Sequence, residues 1–108
     1  MNHQLDTRTK TVNVSITGDI LSTNAKALRE ELFQLLETPS LKNGDWLTLK
    51  LDLTSTNMID SVGLNLLVTL VRAMKAGNRK IQAVVASPNI QRAFQFTRLD
   101  QQIEVLKI

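Results

Sequence analysis

Cysteine is absent from the 108 residues, and histidine occurs only once, as His3. Without cysteine the chain has no disulfide framework, no thiol nucleophile and no thiolate ligand for a metal. His3 has no second histidine to act with, which argues against a histidine-based catalytic triad and against a zinc site. We therefore expect a protein that binds no metal and needs no cofactor.

Aromatic residues and long apolar runs are also scarce. The aromatic residues are Phe33, Trp46, Phe94 and Phe96. No sustained basic stripe is interleaved with them, and the net charge of +3 is modest, so nucleic-acid binding is not indicated. No stretch approaches the roughly 18 apolar residues of a membrane span, and the first residues lack the pattern of a signal peptide. These absences predict a soluble, cytoplasmic protein that does not insert into a membrane.

In the segment from 58 to 64, Met-Ile-Asp-Ser-Val-Gly-Leu, the pattern of the chain changes from a strand to a helix. Before it, apolar and polar residues alternate, which predicts a strand with one buried face. The apolar members are Leu47, Leu49, Leu51 and Leu53. After it, an apolar stripe at helical spacing predicts a helix from about residue 61 to about residue 76. The stripe comprises Leu64, Leu67, Val68, Val71 and Met74.

The rest of the chain shows alternating strand and helix patterns in what its length indicates is one domain, 1–108. The predicted elements are an edge strand or flexible lead over 1–10, a strand over 11–17, a helix to about Glu37, a loop from Pro39 to Gly44, an inner strand over 81–86 covered on both faces, a helix from Ser87-Pro88, and a strand over 103–108. This order predicts an α/β fold. We expect a mixed sheet of four or five strands with three or more helices on one face or both.

Asp60 and Ser61 stand where the central helix begins. Each carries a side-chain oxygen that can accept a hydrogen bond from the free N–H groups of the first turn. Gly63 leaves that turn without a shielding side chain, so another surface or a bound oxyanion can approach the backbone. Phosphorylation of Ser61 would add about −1.5 to −2 charge at the positive end of the helix dipole. The fold tolerates that charge, but a partner fitted to the neutral hydroxyl does not. These residues alone leave two interpretations open, a helix cap and a phosphorylation switch.

Three motifs stand at corresponding places of the predicted elements: Thr17-Gly18-Asp19 after the early strand, Ile59-Asp60-Ser61-Val62-Gly63-Leu64 at the junction, and Ser87-Pro88 with Arg92 and Phe94 in the last helix. Together with the element order they resemble the STAS domain, and more narrowly the bacterial anti-sigma factor antagonists. The likeness runs from about residue 11 to the C-terminus and implies partner switching. In that family the unmodified antagonist binds an ATP-dependent serine kinase that is also the anti-sigma factor. The kinase phosphorylates the serine after the aspartate, which corresponds to Ser61, and a PP2C-type phosphatase reverses the modification.

The resemblance implies a partner-binding surface. The chain also departs from the family pattern at three positions, two of them on that surface. The surface residues are Asp19, Leu21, Asp60, Ser61, Val62 and Gly63. Val62 stands where many antagonists have a second serine or threonine, which leaves Ser61 as the only acceptor in the junction. Leu21 stands where several carry an aspartate, and Arg98 where a glycine often ends the last helix. Leu21 favours the alternative function, a STAS module without a switch that docks to a transporter of the anion, sulfate or lipid ABC type, or to a stress-signalling scaffold.

The acidic residues do not form a catalytic group in the sequence. Asp6, Asp19, Asp52, Asp60 and Asp100 fall on separate predicted elements. The pattern shows neither a nucleophile–base pair nor a glycine loop that would cradle a phosphate. We therefore expect a protein that is not an enzyme.

Phe96 is an apolar residue of the last helix that does not lie on the predicted core face. It lies about 200° around the helix from Phe94, so the two side chains cannot face the same core. We expect Phe96 to pack under the last strand, and the alternative is an exposed contact patch.

Overall fold

A computed structural model describes all residues, 1–108, as a five-stranded mixed sheet with helices. In chain order the elements are β1 (Asn2–Asp6), β2 (Thr11–Ser15), α1 (Ala25–Leu36), α2 (Pro39–Lys42), β3 (Thr48–Leu53), α3 (Ser61–Ala76), β4 (Lys80–Val85), α4 (Pro88–Phe96), a short 3-10 turn (Leu99–Gln101) and β5 (Glu104–Lys107). The strands lie in the order of the sequence. The β1 strand is antiparallel to β2, and β2 to β5 are parallel. The predicted fold class is confirmed, and the N-terminal residues form an edge strand.

The apolar face of the sheet is the face that the helices cover. Each parallel strand lies beside the previous one in the same direction, and right-handed crossovers of this kind place all connecting helices on the same side. In β3, Leu49, Leu51 and Leu53 are buried, whereas the residues between them are half-exposed. The β4 strand shows the same alternation, with Gln82 and Val84 half-exposed. The prediction that this strand is covered on both faces was therefore wrong, because its second face belongs to the open side.

The central helix α3 has the predicted bounds and packs against α1 and β4. Its buried side is wider than the predicted stripe. The buried residues are Gly63, Leu66, Leu67, Leu70, Val71 and Met74, and two predicted members, Leu64 and Val68, are only partly buried. None of the helices has both the length and the apolar character needed to cross a membrane.

Two large apolar residues that were expected inside the protein lie on its surface. Leu47 is 53% exposed because β3 begins only at Thr48, so Leu47 precedes the buried row instead of opening it. Phe96 is 89% exposed on the last turn of α4, whereas Phe94 is fully buried. The expectation that Phe96 packs under β5 was wrong, since the helix directs only one of the two rings toward the sheet.

The connection between α1 and β3 contains a helical turn, α2, where a loop was predicted. Pro39 stands at its first position, where a proline loses no helical hydrogen bond. This turn ends beside Trp46, which is buried and donates from Nε1 to the Leu41 carbonyl oxygen at 2.7 Å. The guanidinium of Arg79 lies 3.9 Å above the Trp46 ring centre and donates to the carbonyl oxygens of Trp46 and Gly44, each at 3.0 Å. Arg79 therefore connects the start of β4 to the start of β3.

Arg98 adopts the left-handed backbone conformation that favours glycine. Its φ of 59° lies in the left-handed region, directly after Thr97, the C-cap residue of α4. Helix α4 therefore ends before Arg98 although Arg98 departs from the glycine pattern and has a large side chain.

Candidate functional site

The loops after β2 and β3 are joined at the carboxyl edge of the parallel sheet. Ile20 and Ile59 form an isolated parallel bridge beyond the ends of their strands. The Ile20 amide donates to the Met58 carbonyl oxygen at 3.1 Å, and the Asp60 amide donates to the Ile20 carbonyl oxygen at 3.3 Å. The bridge brings the early turn against the start of α3, as the parallel order predicts.

Asp19 holds the loop that leads into α3. Its Oδ1 accepts hydrogen bonds from the amides of Asn57, at 2.9 Å, and Met58, at 3.0 Å. Asn24 steadies the turn itself, because its side chain donates to the Asp19 carbonyl oxygen and accepts from the Leu21 amide, both at 2.8 Å. One carboxylate oxygen of Asp19 is therefore committed to positioning the chain just before the helix.

Asp60 is the N-cap of α3. Its Oδ1 accepts from the Gly63 amide at 2.9 Å, and its Oδ2 accepts from the Ser22 amide at 2.7 Å. The bond from Gly63 and then the bond from Ser22 are the main reasons that the pKa of the Asp60 carboxyl lies below its ordinary value of 3.8. Asp60, and not Ser61, therefore caps the helix. The same carboxylate ties the segment before α1 to α3.

Ser61 occupies the first position of α3 with its side chain exposed to solvent. Its hydroxyl makes no hydrogen bond within the chain, since the capping bonds are made by Asp60. Two nearby residues of the chain are apolar and exposed, Met58 at 57% and Val62 at 46% exposure. Met58 was not among the predicted site residues, and only its position in the junction segment pointed to it. The result is an accessible hydroxyl within a partly apolar surface.

Gly63 is buried, and the surface that approaches it belongs to this chain. A Cβ at Gly63 would overlap the Ile20 carbonyl oxygen and lie 2.8 Å from Ile59 Cγ1. Glycine is therefore required for α3 to pack against the Ile20 turn. This corrects the expectation that Gly63 opens the site. Its amide is already hydrogen-bonded to Asp60, and Ile20 fills the space beside its Cα.

A family model described as "Mlab, STAS domain" matches residues 3–107 of the chain. The chain belongs to the STAS domain family. The solved structures similar to this STAS domain include three anti-sigma factor antagonists. A protein from Thermotoga maritima that is assigned as an anti-sigma factor antagonist has a TM-score of 0.82 at 16% identity, over 99% of this chain and 86% of the other. An antagonist from Mycobacterium paratuberculosis has a TM-score of 0.75 at 20% identity, over 97% and 84% of the two chains.

The third structure is SpoIIAA in its unphosphorylated form, an antagonist that is also described as a Bacillus cell fate determinant. Its TM-score is 0.72 at 19% identity, over 99% of the STAS domain described here and 88% of SpoIIAA. SpoIIAA has been solved in its phosphorylated form as well. At these identities the likeness shows a shared fold, and the fold is the one that the sequence predicts.

The STAS domain brings the predicted site residues together at one edge of the sheet. Asp60, Ser61 and Val62 meet the turn of Asp19 and Leu21 through the bonds at Ile20 and Ser22, with Leu21 half-buried. The carboxylates of Asp19 and Asp60 accept hydrogen bonds from backbone amides and so position the loops and the start of α3. No cluster of three or more histidine, cysteine, aspartate or glutamate side chains is placed to hold a metal ion.

Replacing Asp60 with asparagine should lower the thermal stability of the STAS domain in a pH-dependent way. Asparagine is also a good N-cap residue, but it lacks the second carboxylate oxygen that binds Ser22 and the negative charge that favours a helix start. Since the pKa of Asp60 is lowered in the folded state, its stabilising effect is present above pH 3.8 and is lost as the pH falls through the folded pKa.

Melting temperatures of the wild type and Asp60→Asn, measured from neutral pH down to acid, test this expectation. The gap between the two proteins should be widest near neutrality and should close at acid pH. Asp100→Asn is the control, because Asp100 is exposed and its carboxylate accepts no hydrogen bond. A gap that stays constant with pH would show that the charge of Asp60 is not the source of the stabilisation.

Proposed function

We propose that this STAS domain is a cytoplasmic regulator of the anti-sigma factor antagonist type, which acts by partner switching. Ser61 is the phosphoacceptor, and the edge formed by Asp19, Leu21, Asp60 and Val62 is the partner-binding surface. The observation that carries the proposal is the state of the Ser61 hydroxyl, which is exposed, unbonded and placed at the start of a long helix. Structural likeness to SpoIIAA, which occurs in an unphosphorylated and a phosphorylated form, supports it.

The partner is a serine kinase that also acts as the anti-sigma factor, and a PP2C-type phosphatase restores the unmodified state. The kinase reaches Ser61 without unfolding α3, because the cap is made by Asp60. A phosphate on Ser61 is tolerated by the fold, since it lies at the positive end of the helix dipole. A partner in contact with Met58 and Val62 would instead have to desolvate about −1.5 to −2 charge, which weakens the complex.

Ser61 should be the only residue that the proposed partner kinase modifies. After incubation of the purified protein with ATP and that kinase, intact mass is expected to show one phosphate on the wild type and none on Ser61→Ala. The Ser61→Ala variant should unfold within about 0.5 kcal/mol of the wild type, because the side chain it removes makes no hydrogen bond. Ser61→Ala should still bind the kinase, whereas Ser61→Asp and Ser61→Glu should bind it more weakly.

Equal phosphate on the wild type and Ser61→Ala would place the acceptor elsewhere. No phosphate on either, with kinase binding intact, would favour the second candidate function, a STAS module without a switch that docks to a transporter. One observation favours that candidate. Leu21 is a half-buried apolar side chain where several antagonists carry an aspartate.

A further inference from the structure

A groove between α1 and α3 opens one residue away from Ser61. It consists of two adjoining hollows of about 120 and 440 Å³ that share Lys26, Arg29 and Thr69. The first hollow is also lined by Ala25, Val62, Asn65 and Leu66, and the second by Glu30 and Phe33. Val62 belongs to both the surface around Ser61 and the groove, so the two are continuous.

The groove combines an apolar lining with cations that no carboxylate neutralises. Of the apolar residues that line it, Leu66 is buried, Phe33 is half-buried and Val62 is 46% exposed. The ion pairs of the chain are Lys10–Asp45 and Lys42–Glu37, so neither Lys26 nor Arg29 is paired. Both are exposed on α1, and Glu30 is the one acidic residue in the lining. An occupant should therefore present apolar side chains to Phe33, Val62 and Leu66 and negative charge to Lys26 and Arg29.

We infer that this groove binds an acidic, amphipathic segment of the protein partner. The inference rests on the proposed function, because it takes the surface around Ser61 as the start of the contact. A segment with carboxylates on one side and aliphatic side chains on the other matches the lining in charge and in polarity. A nucleic acid would leave the apolar lining unused and would require a longer basic track than Lys26 and Arg29 provide.

The position of the groove gives the phosphate on Ser61 a second effect. Ser61 precedes Val62, which forms one end of the groove, so the phosphate brings negative charge to the place where the acidic segment begins. The phosphate and the segment repel one another, and both are attracted to the same cations on α1. Such interactions between exposed charges are screened over about 8–10 Å at physiological salt. Release of the partner on phosphorylation should therefore be less complete at high salt.

A designed peptide tests the groove without the partner. The probe is a helical peptide of about 16 residues with leucine at helical spacing on one face and glutamate elsewhere. In NMR spectra of the full chain, about 1 mM peptide is expected to shift the amide signals of Lys26, Arg29, Asn65 and Thr69. The double variant Lys26→Glu/Arg29→Glu should bind it about tenfold more weakly or worse. Absence of shifts in the wild type, or equal shifts from a peptide with lysine in place of glutamate, would overturn the inference.

Kinase binding then separates this inference from the proposed function. The affinity of the proposed partner kinase should fall about tenfold in Lys26→Glu/Arg29→Glu and stay unchanged in Arg92→Glu, an exposed charge change on α4. Circular dichroism confirms that each variant is folded. Unchanged kinase affinity in the double variant would remove the groove from the partner surface and leave the proposed function standing. A groove that binds the acidic peptide when the wild type binds no kinase would contradict the proposed function alone.

Discussion

Replacing Gly63 with alanine is expected to lower the free energy of unfolding by about 2 kcal/mol, although alanine is the better helix former. The gain in helix propensity is about 1 kcal/mol. Against it stands the added Cβ, which would overlap the Ile20 carbonyl oxygen and crowd Ile59. Overpacking of this kind costs about 1–3 kcal/mol. The displaced carbonyl also loses its hydrogen bond from the Asp60 amide, which is worth about 0.5–1.5 kcal/mol. The loss therefore exceeds the gain.

Urea unfolding of Gly63→Ala and Gly77→Ala measures this effect against a matched control. Gly77 follows the last residue of α3 with an ordinary φ of −95°, and a Cβ there would meet nothing nearer than Arg79 Nη1 at 3.5 Å. We expect Gly77→Ala to stay within about 0.5 kcal/mol of the wild type. If Gly63→Ala were as stable as Gly77→Ala, the close packing of α3 on Ile20 would be disproved. In Gly63→Ala, displacement of the Ile20 carbonyl should also disturb the neighbouring Asp19 turn. We therefore expect partner binding to weaken together with stability.

Replacing Arg79 with alanine should destabilise the protein by about 3 kcal/mol, the largest effect we expect from a single charged residue. Its guanidinium donates to two carbonyl oxygens and stacks on the Trp46 ring. A hydrogen bond from a charged group contributes about 1.5–3 kcal/mol, and a cation–π contact about 0.5–2 kcal/mol. The total of these contributions is smaller than their simple sum because Arg79 is partly exposed to solvent. Arg79→Lys should recover only part of the loss, since an ammonium group cannot reproduce the planar pair of donors.

Arg72→Ala serves as the control for Arg79→Ala in the same unfolding experiment. Arg72 is an exposed arginine of α3 for which the structure shows neither an ion pair nor a side-chain hydrogen bond. Its removal should change stability by less than about 0.5 kcal/mol. Equal losses in the two variants would mean that the basic charge itself is responsible, and not the contacts around Trp46.

The parts of the fold that could be predicted are those in which a residue pattern, such as alternation or a helical stripe, occurs in only one kind of structural environment. Leu49, Leu51 and Leu53 alternate with polar residues because one face of β3 meets the helices and the other meets solvent. The start of α3 could be placed because Asp60 and Ser61 precede an uninterrupted helical stripe. The resemblance to STAS domains depends on these same positions, and the family match confirms it.

The errors arose where an environment is set by another part of the chain. Val84 and its neighbours form an apolar run, yet only the strand order shows that one face of β4 remains open. Gly63 looks like an opening in the sequence, because the Ile20 turn that fills it is distant along the chain. Phe96 is apolar but exposed, and no local pattern distinguishes it from Phe94. Neither the unpaired state of Lys26 nor that of Arg29 could be predicted, since it depends on which carboxylates the fold brings near.

The strand order also determines how fast this domain can fold. Only the β1–β2 hairpin pairs residues that are close along the chain. Every parallel pair closes a loop that contains a helix, and these loops run from 22 residues between Ala83 and Val105 to 37 residues between Val14 and Leu51. Such separations give a mixed α/β domain an intermediate contact order and refolding times on the order of milliseconds, slower than helical bundles of the same size. The bridge between Ile20 and Ile59 depends on the pairing of β2 with β3, so the edge that carries Ser61 is assembled only after that crossover has closed.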